Sequence, residues 1–411
     1  MLTNWAGNLT YSAARVHRPG SVEEAAELVA ASGRIRALGT RHSFSGVADS
    51  AGELVSTERL DRVVEVGERE VTVEAGIAYG TLGRALAGHG HGLALPNYAS
   101  LPHVSVGGAV ATGTHGSGVR NRSLAAAVSG LDLVLADGSL LRLRRGDTDF
   151  DGAVVALGAL GLVVRLTLDV VPAFELRQYV FRDLPWPALE ESLWEILAGG
   201  YSVSLFTGWA GAAVEQVWVK TAGELPATPY FGARPADGPL HPIPGADPAH
   251  CTEQLGVPGP SDERLPHFRR GATPSAGDEL QSEYAVDRAQ AAAAIRALRP
   301  LGPQIAPLLL VSEIRAIAAD DLWLSPFHRR DSVAIHFTWK KRPADVLALL
   351  PRIEDALAPY EARPHWGKLF AVPPERLAGL YPRLPAFREL AARLDPAGTF
   401  ANDFVRRTLG A

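Results

Sequence analysis

Sulfur is almost missing from this chain of 411 residues, which has one cysteine, Cys251, and one methionine, Met1. A lone cysteine excludes an intrachain disulfide and any metal site built on clustered thiolates. Long apolar runs are missing too. A membrane-spanning helix needs about 18 apolar residues, and the longest run here, 153–164, is broken by Gly158 and Gly161. No block of Lys and Arg stands out and the formal net charge is -5. That argues against nucleic acid and against an anionic membrane surface as partners. Residues 1–8 carry neither the charged stretch nor the apolar stretch of a secretory signal. The expectation is a cytoplasmic protein with no membrane or nucleic-acid partner. His89-Gly90-His91 is a close histidine pair without a nearby third ligand, so no metal is expected.

The composition is ordinary for a globular protein, 47% hydrophobic and 21% charged, with length for about two or three domains. Ser21-Val22-Glu23-Glu24 has the spacing of a capping box, ahead of helical periodicity over 25–31. The apolar run 35–38 reads as a strand. It feeds Gly39-Thr40-Arg41-His42-Ser43-Phe44-Ser45-Gly46, a turn of glycine and small hydroxyls around one histidine. Residues 63–66 and 71–75 alternate as a half-exposed hairpin, and 79–86 read as a helix. A second hairpin, 131–135 with 140–143, turns at Asp137-Gly138. Residues 151–157 are expected to be helical, 158–161 a compact turn and 162–171 a strand, with Pro172 closing the unit.

Small residues dominate from Leu95-Pro96-Asn97 to Gly118. Glycines and hydroxyls let backbone amides approach a ligand closely; a tight packing turn is the alternative. The Gly-Gly-Ala-Val-Ala-Thr-Gly within it lacks the Gly-x-Gly-x-x-Gly spacing, which excludes a nicotinamide-type Rossmann site.

A second unit starts near Phe174, with a helix at 189–197 and strands at 201–207 and 214–221. Residues 226–274 are rich in Pro and Gly and lack periodicity, as in a lid, a wrapped surface loop or a flexible excursion. A strand (281–286) and a helix (287–298) follow, then two strands, 308–315 and 332–339, a helix (344–357) and a short helical tail. In a strand, residues two apart share a face. Glu313 and Arg315 therefore point one way and Ile314 the other. His336 and Thr338 likewise oppose Phe337 and Trp339. If the two strands are neighbours with these faces aligned, the four residues form a polar floor. A buried ion pair satisfied by hydroxyls is the plainer alternative. Both pairs, with Lys368 beside His365 and Trp366, point to a site for a polyhydroxylated ligand.

The His42-Ser43-Phe44 loop, Leu95 to Gly118, Glu313-Ile314-Arg315, His336-Phe337-Thr338-Trp339 and His365-Trp366-Gly367-Lys368 together resemble the vanillyl-alcohol-oxidase-type (PCMH) flavoprotein superfamily. More closely they resemble its aldonolactone oxidoreductase branch, within it the alditol oxidases acting on xylitol or sorbitol, over nearly the whole chain. The resemblance implies an α+β, two-domain fold. Residues 1–173 would bind FAD, 174–380 would form a substrate-binding cap on an antiparallel sheet, and 381–411 would return to the FAD domain. It implies FAD attached through its 8α-methyl group to His42. The flavin contacts it implies are Gly39, Thr40, Arg41, Ser43, Phe44, Ala99, Ser100, His103, Ser105, Gly107, Gly108, Thr112, Gly113, Thr114, His115, Gly116, Gly161, Val163, His365 and Lys368. Substrate would meet Ser100, Glu313, Arg315, Thr338 and Lys368, with His336 nearby, and Ala99 would control oxygen access.

The implied reaction converts the terminal primary alcohol of an alditol to an aldose. Hydride passes to flavin N5 and dioxygen becomes hydrogen peroxide. Its partners are a small polyol and dioxygen, and the protein is expected to be a monomer. Lys368, Arg315, Glu313 and His336 are the expected catalytic residues, with Lys368 or His336 as the base. An aldonolactone dehydrogenase or oxidase of the same fold is the alternative. One departure from relatives is Arg41, where a glycine is usual. It costs strain if the position needs positive φ, or its cation faces the pyrophosphate. The scarcity of methionine fits a peroxide producer; drift or a thermophilic composition bias is the plainer alternative.

Overall fold

The computed structural model describes residues 1–225, 228–271 and 277–410. Ser21 caps helix α1 (Val22–Ala30) by accepting from the Glu24 N–H. The Glu24 carboxylate reaches back to the Gly20 N–H at 2.7 Å rather than to Ser21. Three short parallel strands, β1 (Arg15–His17), β2 (Ile35–Leu38) and β3 (Glu53–Ser56), lie in the order β1-β3-β2. The end of β2 releases the chain into the His42 loop.

Both sequence-read hairpins form. β4 (Val63–Val66) pairs with β5 (Glu70–Glu74), and β6 (Val128–Val134) with β7 (Leu140–Arg144). With β8 (Leu162–Asp169) they make a five-stranded sheet, order β4-β5-β8-β6-β7. Helices α2 (Tyr79–Gly88) and α3 (Val106–Ala111) pack into the same core. The helix expected over 151–157 shrinks to one turn, Phe150–Ala153, because Leu157 turns left-handed at φ 53° and Gly158 follows at φ 67°.

A larger antiparallel sheet follows. It contains β9 (Glu175–Pro185), β10 (Ser202–Thr207), β11 (Ala213–Thr221), β12 (Glu279–Asp287), β13 (Leu309–Ile317) and β14 (Ser332–Lys340), in spatial order β9-β11-β10-β13-β14-β12. Short pairings by Arg234–Pro235 and Arg363–Pro364 extend its two ends. Helices α4 (Trp186–Ala198), α5 (Ala291–Leu298) and α6 (Pro343–Leu357) cover one face. Against them lie Ile314, Ile335, Phe337 and Trp339, all fully buried. Alternation then turns the polar residues of the same strands to the opposite face.

The irregular stretch read over 226–274 wraps rather than swings free, within its described part. Gln178 Nε2 donates to the Thr252 carbonyl at 3.1 Å, and Gln216 Nε2 to His241 at 2.9 Å. The stretch's outermost prolines, Pro226 and Pro274, lie outside the described residues. At the C-terminal end come α7 (Pro374–Leu380), α8 (Leu384–Leu394) and α9 (Asp403–Leu409). The chain there meets the start of the molecule, with the Ile35 N–H donating to the Thr399 carbonyl at 2.9 Å. No described helix is long and apolar enough to cross a membrane.

Candidate active site

A single cleft runs from the end of β2 to the polar face of the large sheet. Its floor is set by register. Glu313 on β13 stands opposite His336 on β14, and His336 opposite Glu283 on β12. Glu313, Arg315, His336 and Thr338 do face the cleft together, joined by Lys368 and His365. Ser100, from the small-residue segment, closes the floor; its hydroxyl lies 3.3 Å from Arg315 Nη1.

The hub of this network was not picked out from the sequence. Glu283 is buried at 2% exposure and gathers four partners. His336 Nδ1 lies 2.8 Å away, Lys368 Nζ 2.5 Å and Arg315 Nη2 3.4 Å, while His115 Nε2 bonds to the other oxygen. Burial alone would raise this carboxyl; Lys368 and His115 outweigh it and hold it well below its usual range. Its signal in the sequence is weak: one of three acids in its strand, followed by Tyr284-Ala285-Val286. Glu313 is held low in the same way. Burial opposes ionisation there, and Arg315 and His267 favour it. His267, also missed, comes from the wrapped stretch and sits 2.7 Å from Glu313. Burial pulls His336 down to about 4, so its ring is neutral near pH 7. Burial likewise lowers Lys368.

The other wall is built from Gly39 to Phe44, Gly107, Gly108, Thr112, Thr114, His115, Gly161 and Val163, with Ala99 and Ser100 between wall and floor. His42 stacks on Trp5 at 5.0 Å, and its Nε2 lies 2.7 Å from His103 Nε2. Its Nδ1 is buried without a hydrogen-bond partner. Burial, with His103 beside it, pulls the ring to about 3, so it is neutral. The N–H groups of Thr40, Arg41, His42 and Ser43 donate to no acceptor among the described residues. Arg41 has φ 64°, and its Nη1 donates to the Thr3 carbonyl at 3.1 Å. The position therefore does require the left-handed region.

Four of the expected flavin contacts stand behind the cleft lining. His103, Ser105, Gly113 and Gly116 do not line the cleft. His103 and Ser105 support the loop from outside. The Ser105 N–H reaches Thr40 Oγ1 at 3.3 Å, and its hydroxyl fills the space where a Gly39 side chain would sit. Gly113 packs on Pro326, and Gly116 on Asn97 and Tyr98, where no side chain fits. Within the glycine segment, Gly107 and Gly108 line the cleft while Gly113 and Gly116 pack tightly. Arg36, on β2, was also missed; it donates to the carbonyls of Val47, Leu157, Gly158 and Phe400 and ties the wall together.

Residues 13–144 match the model of the FAD binding domain family, and 278–408 match D-arabinono-1,4-lactone oxidase. The chain is 50% identical to an alditol oxidase from Streptomyces sp., over 99% of both chains. The protein belongs to the alditol oxidase family. The family's wider branch includes L-gulono-1,4-lactone dehydrogenase from Mycobacterium tuberculosis, 30% identical over 99% of each chain. Mus musculus L-gulonolactone oxidase is 26% identical over 98% of this chain and 97% of its own. The fold of this alditol oxidase family member is also that of cholesterol oxidase from B. sterolicum, with TM-score 0.77 at 18% identity, covering 99% of this chain and 96% of the other. It is the α+β, PCMH-type flavoprotein fold.

The cleft fits FAD on its own chemistry. Four consecutive unpaired N–H groups beside glycines suit a pyrophosphate, and the buried Nδ1 of a neutral His42 lacks a partner.

Proposed function

We propose that this family member oxidises the terminal primary alcohol of an alditol, such as xylitol or sorbitol, to the aldose. Dioxygen takes the electrons and leaves as hydrogen peroxide. The observation that carries the reading is the floor: Glu313, Arg315, His336, Thr338 and Lys368 converge on one cleft with the His42 wall. A polyol needs donors and acceptors together, and this set supplies both.

FAD, which the His42 wall would hold and His42 would tether, would supply the hydride acceptor and the route of the electrons to dioxygen. The remaining steps belong to the chain. Ser100, Thr338 and Glu313 hold the inner hydroxyls of the substrate. Arg315 and Lys368 stabilise negative charge on the reacting oxygen as its proton leaves. Arginine stays protonated and cannot be the base. His336 accepts that proton. Its ring is neutral, and the role requires the tautomer whose Nδ1–H donates to Glu283 at 2.8 Å, with Lys368 Nζ also 2.6 Å from that nitrogen; Nε2, 3.0 Å from Thr338 Oγ1, is then the acceptor, and Glu283 stabilises the imidazolium that forms. Ala99, beside Ser100, sets the access of dioxygen.

In the same reading residues 1–173 bind FAD, 174–380 cover the substrate and 381–411 close back on the FAD side. The protein acts as a cytoplasmic monomer. Lys368→Ala should lower kcat at least about a hundredfold, the scale of one electrostatic donor, with the yellow cofactor still bound. Near-normal turnover in that variant would overturn its role.

A further inference from the structure

Lys220 sits in the middle of β11 at 1% exposure, with no ion-pair partner within reach among the described residues. Buried cations normally meet a carboxylate. Here the ammonium's three donors are spent on the Leu265 carbonyl at 2.6 Å, the Pro266 carbonyl at 3.0 Å and His267 Nδ1 at 3.1 Å. Burial lowers Lys220 to about 7, so the direction is set from the other end: the ionised Glu313 carboxylate beside His267 only accepts, which puts the proton of the neutral ring on Nε2 and leaves Nδ1 to accept from Lys220. That N–H donates to Glu313 Oε1 at 2.7 Å. Every bond in the chain from Lys220 to His267 to Glu313 therefore has one direction. The remaining oxygen, Oε2, lies 3.5 Å from Arg315 Nε, and both residues line the cleft. His267 is held edge-on by Trp218 and Phe206, with ring centroids at 5.4 and 5.5 Å. Its backbone N–H donates to the Ser100 carbonyl at 3.2 Å, so the wrapped stretch braces two parts of the floor at once.

We infer that Lys220 and His267 are positioning residues that occupy one oxygen of Glu313 and leave the other as a fixed, ionised acceptor, selecting substrates with inner hydroxyl groups. The inference rests on the proposed polyol oxidation. An ionised carboxylate accepts and never donates. A substrate hydroxyl satisfies it, whereas a substrate lacking that hydroxyl leaves a buried charge unpaired. Without the His267 donor, Glu313 is free to rotate and that discrimination fades.

The test compares xylitol with 1,4-butanediol, which keeps the terminal alcohols but lacks the inner hydroxyls, in flavin-loaded holoenzyme. His267→Leu should raise KM for xylitol about tenfold or more, with the loss falling on KM rather than kcat. The kcat/KM preference for xylitol over the diol should shrink by a similar factor. His267→Gln, whose amide still donates to Glu313, should restore most of that preference, which a merely structural role would not. Lys220→Met should narrow it as well. Flavin absorbance and melting temperature report whether each variant is folded. An unchanged preference in folded His267→Leu, an equal loss on both substrates, or a glutamine variant as poor as leucine overturns the inference. Should His267→Leu not fold, an unchanged preference in Lys220→Met overturns it. A wild-type enzyme inactive on xylitol refutes the functional reading itself, and this inference with it.

Discussion

Arg41 is strained by its own backbone. A non-glycine residue at φ 64° pays about 1–2 kcal/mol, and the exposed bond to Thr3 returns little of that. Arg41→Gly should therefore keep or slightly raise the melting temperature while flavin binding persists. A protein that loses its flavin instead would show that the cation is needed at the pyrophosphate. Glu283 makes the opposite case, with four polar partners on one buried carboxylate. Glu283→Gln should lower kcat by about two orders of magnitude, the scale lost with a proton-transfer partner, and steady-state kinetics with retained flavin absorbance would check it. Strand alternation made Glu313, Arg315, His336 and Thr338 readable, since spacing alone fixes a shared face. Glu283 escaped because its importance lies in β12 standing beside β14, a non-local pairing that no local pattern carries. His267 escaped because it lies in a stretch without periodicity.

Elements with strong local signals were legible: both hairpins, the capped first helix and the paired floor strands. Elements shaped by distant contacts were not, such as the single turn at Phe150–Ala153 and the wrapped stretch anchored by Gln178 and Gln216. The C-terminal return is of this second kind. Asn402 caps α9 through the Val405 N–H, and its amide also donates to the carbonyls of Gly46, Val47 and Asp49, at 3.0, 3.3 and 2.7 Å. One side chain thus ties the tail to the segment just after the His42 loop. Asn402→Ala should cost about 2–3 kcal/mol, from a lost cap and unmet carbonyls. Denaturant melts would read that loss, and faster flavin dissociation from a noncovalent His42→Ala background would report the loosened loop.

Across the whole molecule, buried ionisable groups govern the response to acid. Burial lowers His267 and His336 to about 4, and His42 of the flavin-free chain to about 3, against 6.5 in the unfolded chain. Above pH 6.5 these rings are neutral in both states and cost nothing. Below it the unfolded chain takes up protons that the folded chain refuses, so stability falls as pH falls toward about 3 to 4. At pH 5 each ring contributes about 2 kcal/mol of loss. Asp320 works the other way. Burial raises it to about 6, so the folded state binds its proton first and offsets about one histidine. Melts at pH 7 and pH 5 should show a clear net loss at pH 5; equal stability would contradict the neutral, buried assignment.

Polyol oxidation on a histidine-tethered flavin is the reaction proposed for this cleft. Its most direct measurement starts from purified protein given xylitol under air, with oxygen uptake, peroxide and aldose followed together. One peroxide and one aldose should form for each dioxygen consumed, and the yellow colour should stay with the acid-precipitated chain but leave it in His42→Ala. Activity confined to an aldonolactone, or turnover only with an added electron acceptor and without peroxide, would contradict it.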